Sequence, residues 1–197
     1  LNKIMKLCRI GELGKEKPAI IDVDGSHKDL SKVITDLDPQ NLNFETIEKL
    51  NKINLKDLPV ISSNSRIGAC VKNPSKFLGI GLNFKDHALE QNLPIPKEPI
   101  IFSKFTSCIV GPNDDIEVPK NSNHTDWEVE IGFVIGKKAK YVDVQNALDY
   151  VLGFFLVTDV SEREFQKNKG LTWDKGKGFD TFGPIGPYIL TKDEVKD

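Results

Sequence analysis

The chain has 197 residues, 39% of them hydrophobic including 11 Phe, and a formal net charge of −2. That apolar content suits one large domain, or a small one beside a larger one, and a near-neutral balance without a basic cluster argues against a nucleic-acid partner. No apolar run reaches the roughly 18 residues of a membrane span, which argues against a membrane partner.

Cys8, Cys70 and Cys108 are widely spaced and form no Cys-x-x-Cys. Neither a disulfide framework nor a zinc site is indicated, and reduced thiols of a cytoplasmic protein are expected. The chain begins at Leu1, no signal peptide is visible, and Met5 is the expected natural start.

In chain order, Met5–Ile10 and Ala19–Val23 read as short strands, with Asp24-Gly25 a hairpin-type turn signal. Phe44, Ile47 and Leu50 recur at helical spacing, so Asn43–Leu50 reads as a short amphipathic helix. Pro59 to Arg66 resembles a linker. Residues 1–68 therefore form a small N-terminal module without visible chemistry, and residues 74–197 a second unit.

The second unit opens on a strand ending Gly79-Ile80-Gly81. The third glycine of a dinucleotide fingerprint is absent, because Phe84 occupies its place. A short helical stretch over Asp86–Glu90, ended by Pro94 and Pro96, puts His87 and Glu90 three residues apart on one face. A carboxylate holding one imidazole nitrogen leaves the other free to take a proton from water, although a plain surface pair has the same spacing. Pro99–Phe105 reads as a strand carrying Ser103 and Lys104, and Gly111–Asp115 as a turn.

The unit centres on Trp127-Glu128-Val129-Glu130-Ile131. On a strand, Trp127, Val129 and Ile131 point one way and the two glutamates the other, about 6.6 Å apart. Like charges held that close repel unless a cation lies between them, and oxygen ligands suit magnesium, manganese or calcium; the bland alternative is a wet acidic edge strand.

Val144–Tyr150 suits a helix, and Tyr150–Val157 is an apolar run that reads as a strand buried on both faces. That run delivers Asp159 at its end, where a carboxylate needs a partner. Ser161 and Glu164 read as a capping box for a helix carrying Arg163 and Gln166 on one face. Lys177, between Gly176 and Gly178, is a candidate anion holder but not part of a P-loop. Gly183-Pro184-Ile185-Gly186-Pro187 reads as a rigid turn before a last strand.

Leu82-Asn83-Phe84 with Asp86-His87, Trp127-Glu128-Val129-Glu130, Thr158-Asp159-Val160-Ser161 with Arg163 and Gln166, and Lys177-Gly178-Phe179-Asp180 with Gly183-Pro184 follow in one order. That order resembles the fumarylacetoacetate hydrolase family, in the branch that includes ureidoglycolate lyase and hydrolases of 2,4-diketo-3-deoxy sugar acids. The resemblance implies an α+β fold, a β-rich mixed-sheet roll with a small N-terminal α/β module. By the same resemblance Glu128, Glu130 and Asp159 are the metal ligands, for magnesium or manganese, with calcium able to stand in within a crystal. His87 and Glu90 resemble the dyad that activates water, and Lys177 the lysine that steadies a substrate oxygen. Arg163, Gln166 and Lys104 are the implied substrate-binding residues.

The implied activity is metal-dependent cleavage of a carbon–carbon bond in a 2,4-diketo acid, by a homodimer whose small-molecule partner is a keto acid. Lyase, isomerase or decarboxylase chemistry on a related keto acid or ureidoglycolate, or metal binding without turnover, are the alternatives. Phe84 stands where the family usually has Tyr. Members also continue past the position of Asp197 into further strands and a Thr-Gly-Thr-Pro segment, so a chain lacking its C-terminal part is expected. Phe102, Phe133, Phe154, Phe155 and Val157 would then need cover from a partner or from further residues.

Overall fold

A computed structural model describes residues 5–170 and 172–194, so the expectations attached to Leu1 and Asp197 lie outside the described residues. The N-terminal segment holds β1 (Lys6–Ile10), β2 (Lys17–Ile21), β3 (His27–Asp29), α1 (Phe44–Asn51), β4 (Val60–Ile61) and β5 (Ile67–Gly68). The helix lies where the apolar spacing places it, and Asn43 caps it by accepting from the Thr46 amide. The expected linker instead contains β4, which pairs with β3, and leads directly into β5, which pairs with β1, because the chain there finds open strand edges.

The rest of the chain supplies β6 (Leu78–Gly81), α2 (Lys85–Glu90), β7 (Ile100–Ser103), β8 (Ile109–Val110), β9 (Thr125–Asp126), β10 (Val129–Ile135) and β11 (Val151–Thr158). After these come β12 (Ser161–Glu162), α3 (Arg163–Lys167), α4 (Asp174–Lys177) and β13 (Gly183–Thr191). One sheet runs β10-β11-β13-β1-β2-β3-β4, with β5 joined to β1 and β8 joined to β13. Only the β8–β13 pair is parallel among the described pairings, so the sheet is mixed, and the fold is the expected β-rich α+β type. The β1–β13 pairing, Leu7 opposite Ile189, carries this sheet from the N-terminal segment into the later one.

β1 is buried on both faces. Leu7 enters the main core with Ile20, Leu37, Leu50, Leu152 and Ile189, while Cys8 and Ile10 enter a second cluster with Ala19. Arg9, buried among them, is held by Asp36 at 2.7 Å and Glu16 at 3.2 Å, the kind of pairing a buried charge requires.

The expected helix over Val144–Tyr150 forms, as a 3-10 helix. Two other expectations are corrected. Gly183–Pro187 is not a turn before the last strand but its beginning: β13 starts at Gly183 because β8 and β11 both offer it backbone partners. β11 is not buried on both faces throughout, since Leu156 is exposed. That exposure continues on β10, where Val129, Ile131, Phe133 and Ile135 form an open apolar stripe, whereas Phe102 and Val157 are buried and Phe154 and Phe155 half-buried. No helix among the described residues is long and apolar enough to cross a membrane.

Candidate functional site

The site forms where β10 meets the end of β11. Glu130 lies opposite Val157 and Val129 opposite Thr158; one step further the Asp159 amide donates to the Glu128 carbonyl at 2.8 Å. Strand alternation turns Glu128 and Glu130 inward, and the ladder brings Asp159 beside them. One oxygen from each of the three carboxylates lies within 4.8 Å of the other two, and the donor set, hard oxygens only, fits a hard divalent cation.

The chain's own cations surround this cluster. Lys177 Nζ donates to Glu128 Oε2 and Asp159 Oδ2, both at 2.7 Å. Arg163 donates to Glu128 Oε1 at 2.6 Å and to Asp126 Oδ2, and its Nη1 reaches Gln166 Oε1 at 3.1 Å. Lys104 Nζ donates to Asp159 Oδ1 at 2.6 Å and to the carbonyls of Lys177 and Val160. With Asp159 and both lysines buried, removing one partner from such a set would cost about 3–5 kcal/mol, so these contacts decide the shape of the site.

The two glutamates respond oppositely. Burial pushes the Glu128 carboxyl up, but the hydrogen bond and charge of Lys177, aided by Arg163, more than offset it and hold it below the ordinary range. Burial also pushes Glu130 up; the negative charges of Asp159 and Glu128 add to it, and the positive charges of Lys177 and Lys104 do not cancel them. The folded protein therefore keeps a proton on Glu130 at pH values where the unfolded chain has lost it. Metal-free stability should fall as pH rises from the ordinary glutamate range through the raised one. Glu130→Gln should abolish that fall and raise the metal-free melting midpoint at neutral pH, measured by thermal melts in chelator; an unchanged or lower midpoint would count against the converging charges.

Lys177 reaches this position through backbone proximity. It ends α4, and a Cβ on Gly176 would lie 2.5 Å from the Gln166 amide nitrogen, while one on Gly178 would lie 2.6 Å from the Phe105 ring. Only glycine on each side lets α4 pack this closely on α3 and on the segment after β7. Asp174 accepts from the Ser103 amide at 2.7 Å, and Trp173, which packs on Phe102, fastens the β6–β7 hairpin to the same helix. The Phe102 ring lies 5.3 Å from Lys177 Nζ.

The structure thus brings together Glu128, Glu130, Asp159, Lys104, Lys177, Arg163 and Gln166. His87 and Glu90 stand elsewhere, on α2 in the loop between β6 and β7; both are exposed, and no hydrogen bond links them to each other or to the cluster among the described residues. Phe84, also exposed, is the N-cap of α2 and offers it no side-chain hydrogen bond.

The expected capping box is corrected. Ser161 is a strand residue opposite Asp126 and turns its hydroxyl back to the Asp159 carbonyl, so Glu162 caps α3 instead by accepting from the Glu164 amide. Sequence reasoning missed Glu162 and Asp126. Asp126 continues the alternation of Glu128 and Glu130 and could have been found from it. Glu162 belongs to a second group with His124 and Glu164, but its oxygens are already taken up by Ser122, Thr125 and backbone amides.

Comparison with known proteins agrees with the fold. Residues 76–197 match the model of the fumarylacetoacetate (FAA) hydrolase C-terminal family. A Burkholderia lata relative, under a hydrolase name that is itself provisional, is 55% identical over 193 residues, which are 98% of this chain and 68% of that protein. The fumarylacetoacetate hydrolase of Exiguobacterium antarcticum superposes with a TM-score of 0.82 at 27% identity, over 98% of this chain and 68% of that one. A Mycobacterium marinum 2-hydroxyhepta-2,4-diene-1,7-dioate isomerase does so with a TM-score of 0.68, also at 27% identity, over 98% of this chain and 67% of its own. A family model covering more than half the chain, a relative this similar and a shared fold lead to one conclusion: the chain belongs to the fumarylacetoacetate hydrolase family.

Proposed function

We propose that this protein is a divalent-metal-dependent hydrolase that cleaves a carbon–carbon bond in a 2,4-diketo acid, acylpyruvate-like or a diketo-deoxy sugar acid. The observation that carries the reading is the convergence of Glu128, Glu130 and Asp159 on one point beside the buried ammonium of Lys177. Those three carboxylates would hold Mg²⁺ or Mn²⁺, which when bound supplies Lewis acidity to the oxygens of the keto acid.

The chain's residues do the rest. His87, with Glu90 turning to hold its other ring nitrogen, is assigned to take a proton from water, whose oxygen adds to the 4-keto carbon. The bond between carbons 3 and 4 then breaks, its electron pair passes to the 2-keto acid half as an enolate, and a proton returns to carbon 3. Lys177 is the donor placed to hold the oxygen on which that charge develops. For this step His87, exposed on α2, must come to the cluster. Arg163 and Gln166 border the same space and are assigned to the substrate's polar end.

Isomerisation is the second reading, favoured by the isomerase named among the similar structures. Both fit one experiment: acylpyruvates and related diketo acids are offered with Mg²⁺, and products are separated and weighed. Two acids from each substrate molecule support hydrolysis; one product of unchanged mass supports isomerisation. No metal-dependent consumption of any diketo acid would refute the proposal.

The three free, buried cysteines suit a reducing compartment, and the cytoplasm is proposed on that ground. A second copy of the chain belongs to the same proposal, supported by the open apolar stripe of β10.

A further inference from the structure

Glu128 and Asp159 are held in the same way. Each gives one oxygen inward, Glu128 Oε2 and Asp159 Oδ2, where Lys177 Nζ bridges them at 2.7 Å. Each has its other oxygen tied outward at 2.6 Å, Glu128 Oε1 to Arg163 and Asp159 Oδ1 to Lys104. An ammonium has three donors, and those of Lys104 go to Asp159 Oδ1, the Val160 carbonyl at 3.3 Å and the Lys177 carbonyl at 2.5 Å. Lys104 is buried, so no water stands ready to replace any of these bonds. It has no donor left for a substrate.

We propose that Lys104, with Arg163 opposite, is a positioning residue that leaves each carboxylate a single oxygen for a cation and thereby selects Mg²⁺ or Mn²⁺ against Ca²⁺. This rests on the reading of the carboxylate cluster as a metal site. Calcium takes 6–8 oxygens and commonly gains them from carboxylates that bind through both oxygens, whereas magnesium is satisfied by six near-octahedral ligands, several of them water. For Asp159 to present both oxygens, its bond to Lys104 must break with nothing to replace it. The carboxylate cannot simply rotate, because Lys104 also ties the end of β11 to the end of α4 through the two carbonyls. Arg163 is more exposed than Lys104, so its hold on Glu128 is the looser of the two.

The test is calorimetric titration of Mg²⁺, Mn²⁺ and Ca²⁺ into the parent protein, Lys104→Met, Lys104→Arg and Arg163→Met. The readout is the ratio of Mg²⁺ to Ca²⁺ affinity, because loss of a nearby positive charge raises both affinities alike and a loosened fold lowers both alike. In Lys104→Met that ratio should fall, with about 10–100-fold, the usual change in affinity on removing a residue that orients a metal ligand, as its upper bound. Lys104→Arg, which keeps the charge and its N–H donors, should stay closer to the parent. Arg163→Met should shift the ratio the same way, and it decides the matter if Lys104→Met does not fold. A parent-like ratio in every folded variant overturns the proposal while leaving the metal site intact; a parent protein that binds none of the three ions overturns both.

Discussion

Lys177→Met should lower metal-free stability by about 3–5 kcal/mol, a fall in melting midpoint of roughly 6–20 °C for a domain of this size. Lys177 Nζ donates to both Glu128 Oε2 and Asp159 Oδ2, and methionine fills its space without supplying charge. The carboxylates would then face one another across buried surface, with Glu130 already resisting ionisation beside them. Added Mg²⁺ should restore much of the loss, because nothing then competes with the ion for the inner oxygens. Its stabilising effect should exceed that on the parent protein. Turnover should fall by about 10²–10³, the usual cost of losing one donor to a developing oxyanion. Thermal melts with and without Mg²⁺, beside a rate assay, check all three; a variant that melts like the parent would show that Lys177 is not the internal counter-ion of the site.

His87→Ala should act on rate alone. The residue is exposed on α2 and bonded to nothing in the cluster, so its loss should leave the melting midpoint and the metal affinity unchanged. If it is the base that takes a proton from water, turnover falls by about 10²–10⁴. Full turnover without His87 would mean that water is activated by another group, and α2 would then have no part in the chemistry.

The sequence disclosed the centre of the site because that centre depends on local rules. Alternation places Glu128 and Glu130 on one face wherever the strand ends up, and the apolar run before Asp159 fixes a carboxylate at a strand end. Periodicity says which residues share a face, not which face goes inside. β10 turns its glutamates inward and leaves Val129, Ile131 and Phe133 exposed, the reverse of what burial preference alone suggests.

Long-range pairings were out of reach. Lys104 reads from its neighbours as a polar interruption in a strand, and its bond to Asp159 spans 55 positions. The capping role assigned to Ser161 failed for the same reason: pairing with Asp126, far back in the chain, claimed that residue for a strand and moved the cap to Glu162. Gly183–Pro187 has the composition of a turn, yet β8 and β11 both lie beside it and draw it into the sheet.

Whether Glu128, Glu130 and Asp159 act together on one metal ion is tested most directly by calorimetric titration of Mn²⁺ into the parent protein and Glu128→Gln. One binding event is expected in the parent and its sharp weakening in Glu128→Gln, which removes one of three ligand charges while preserving shape. Equal affinity in the two proteins would contradict a shared three-carboxylate site.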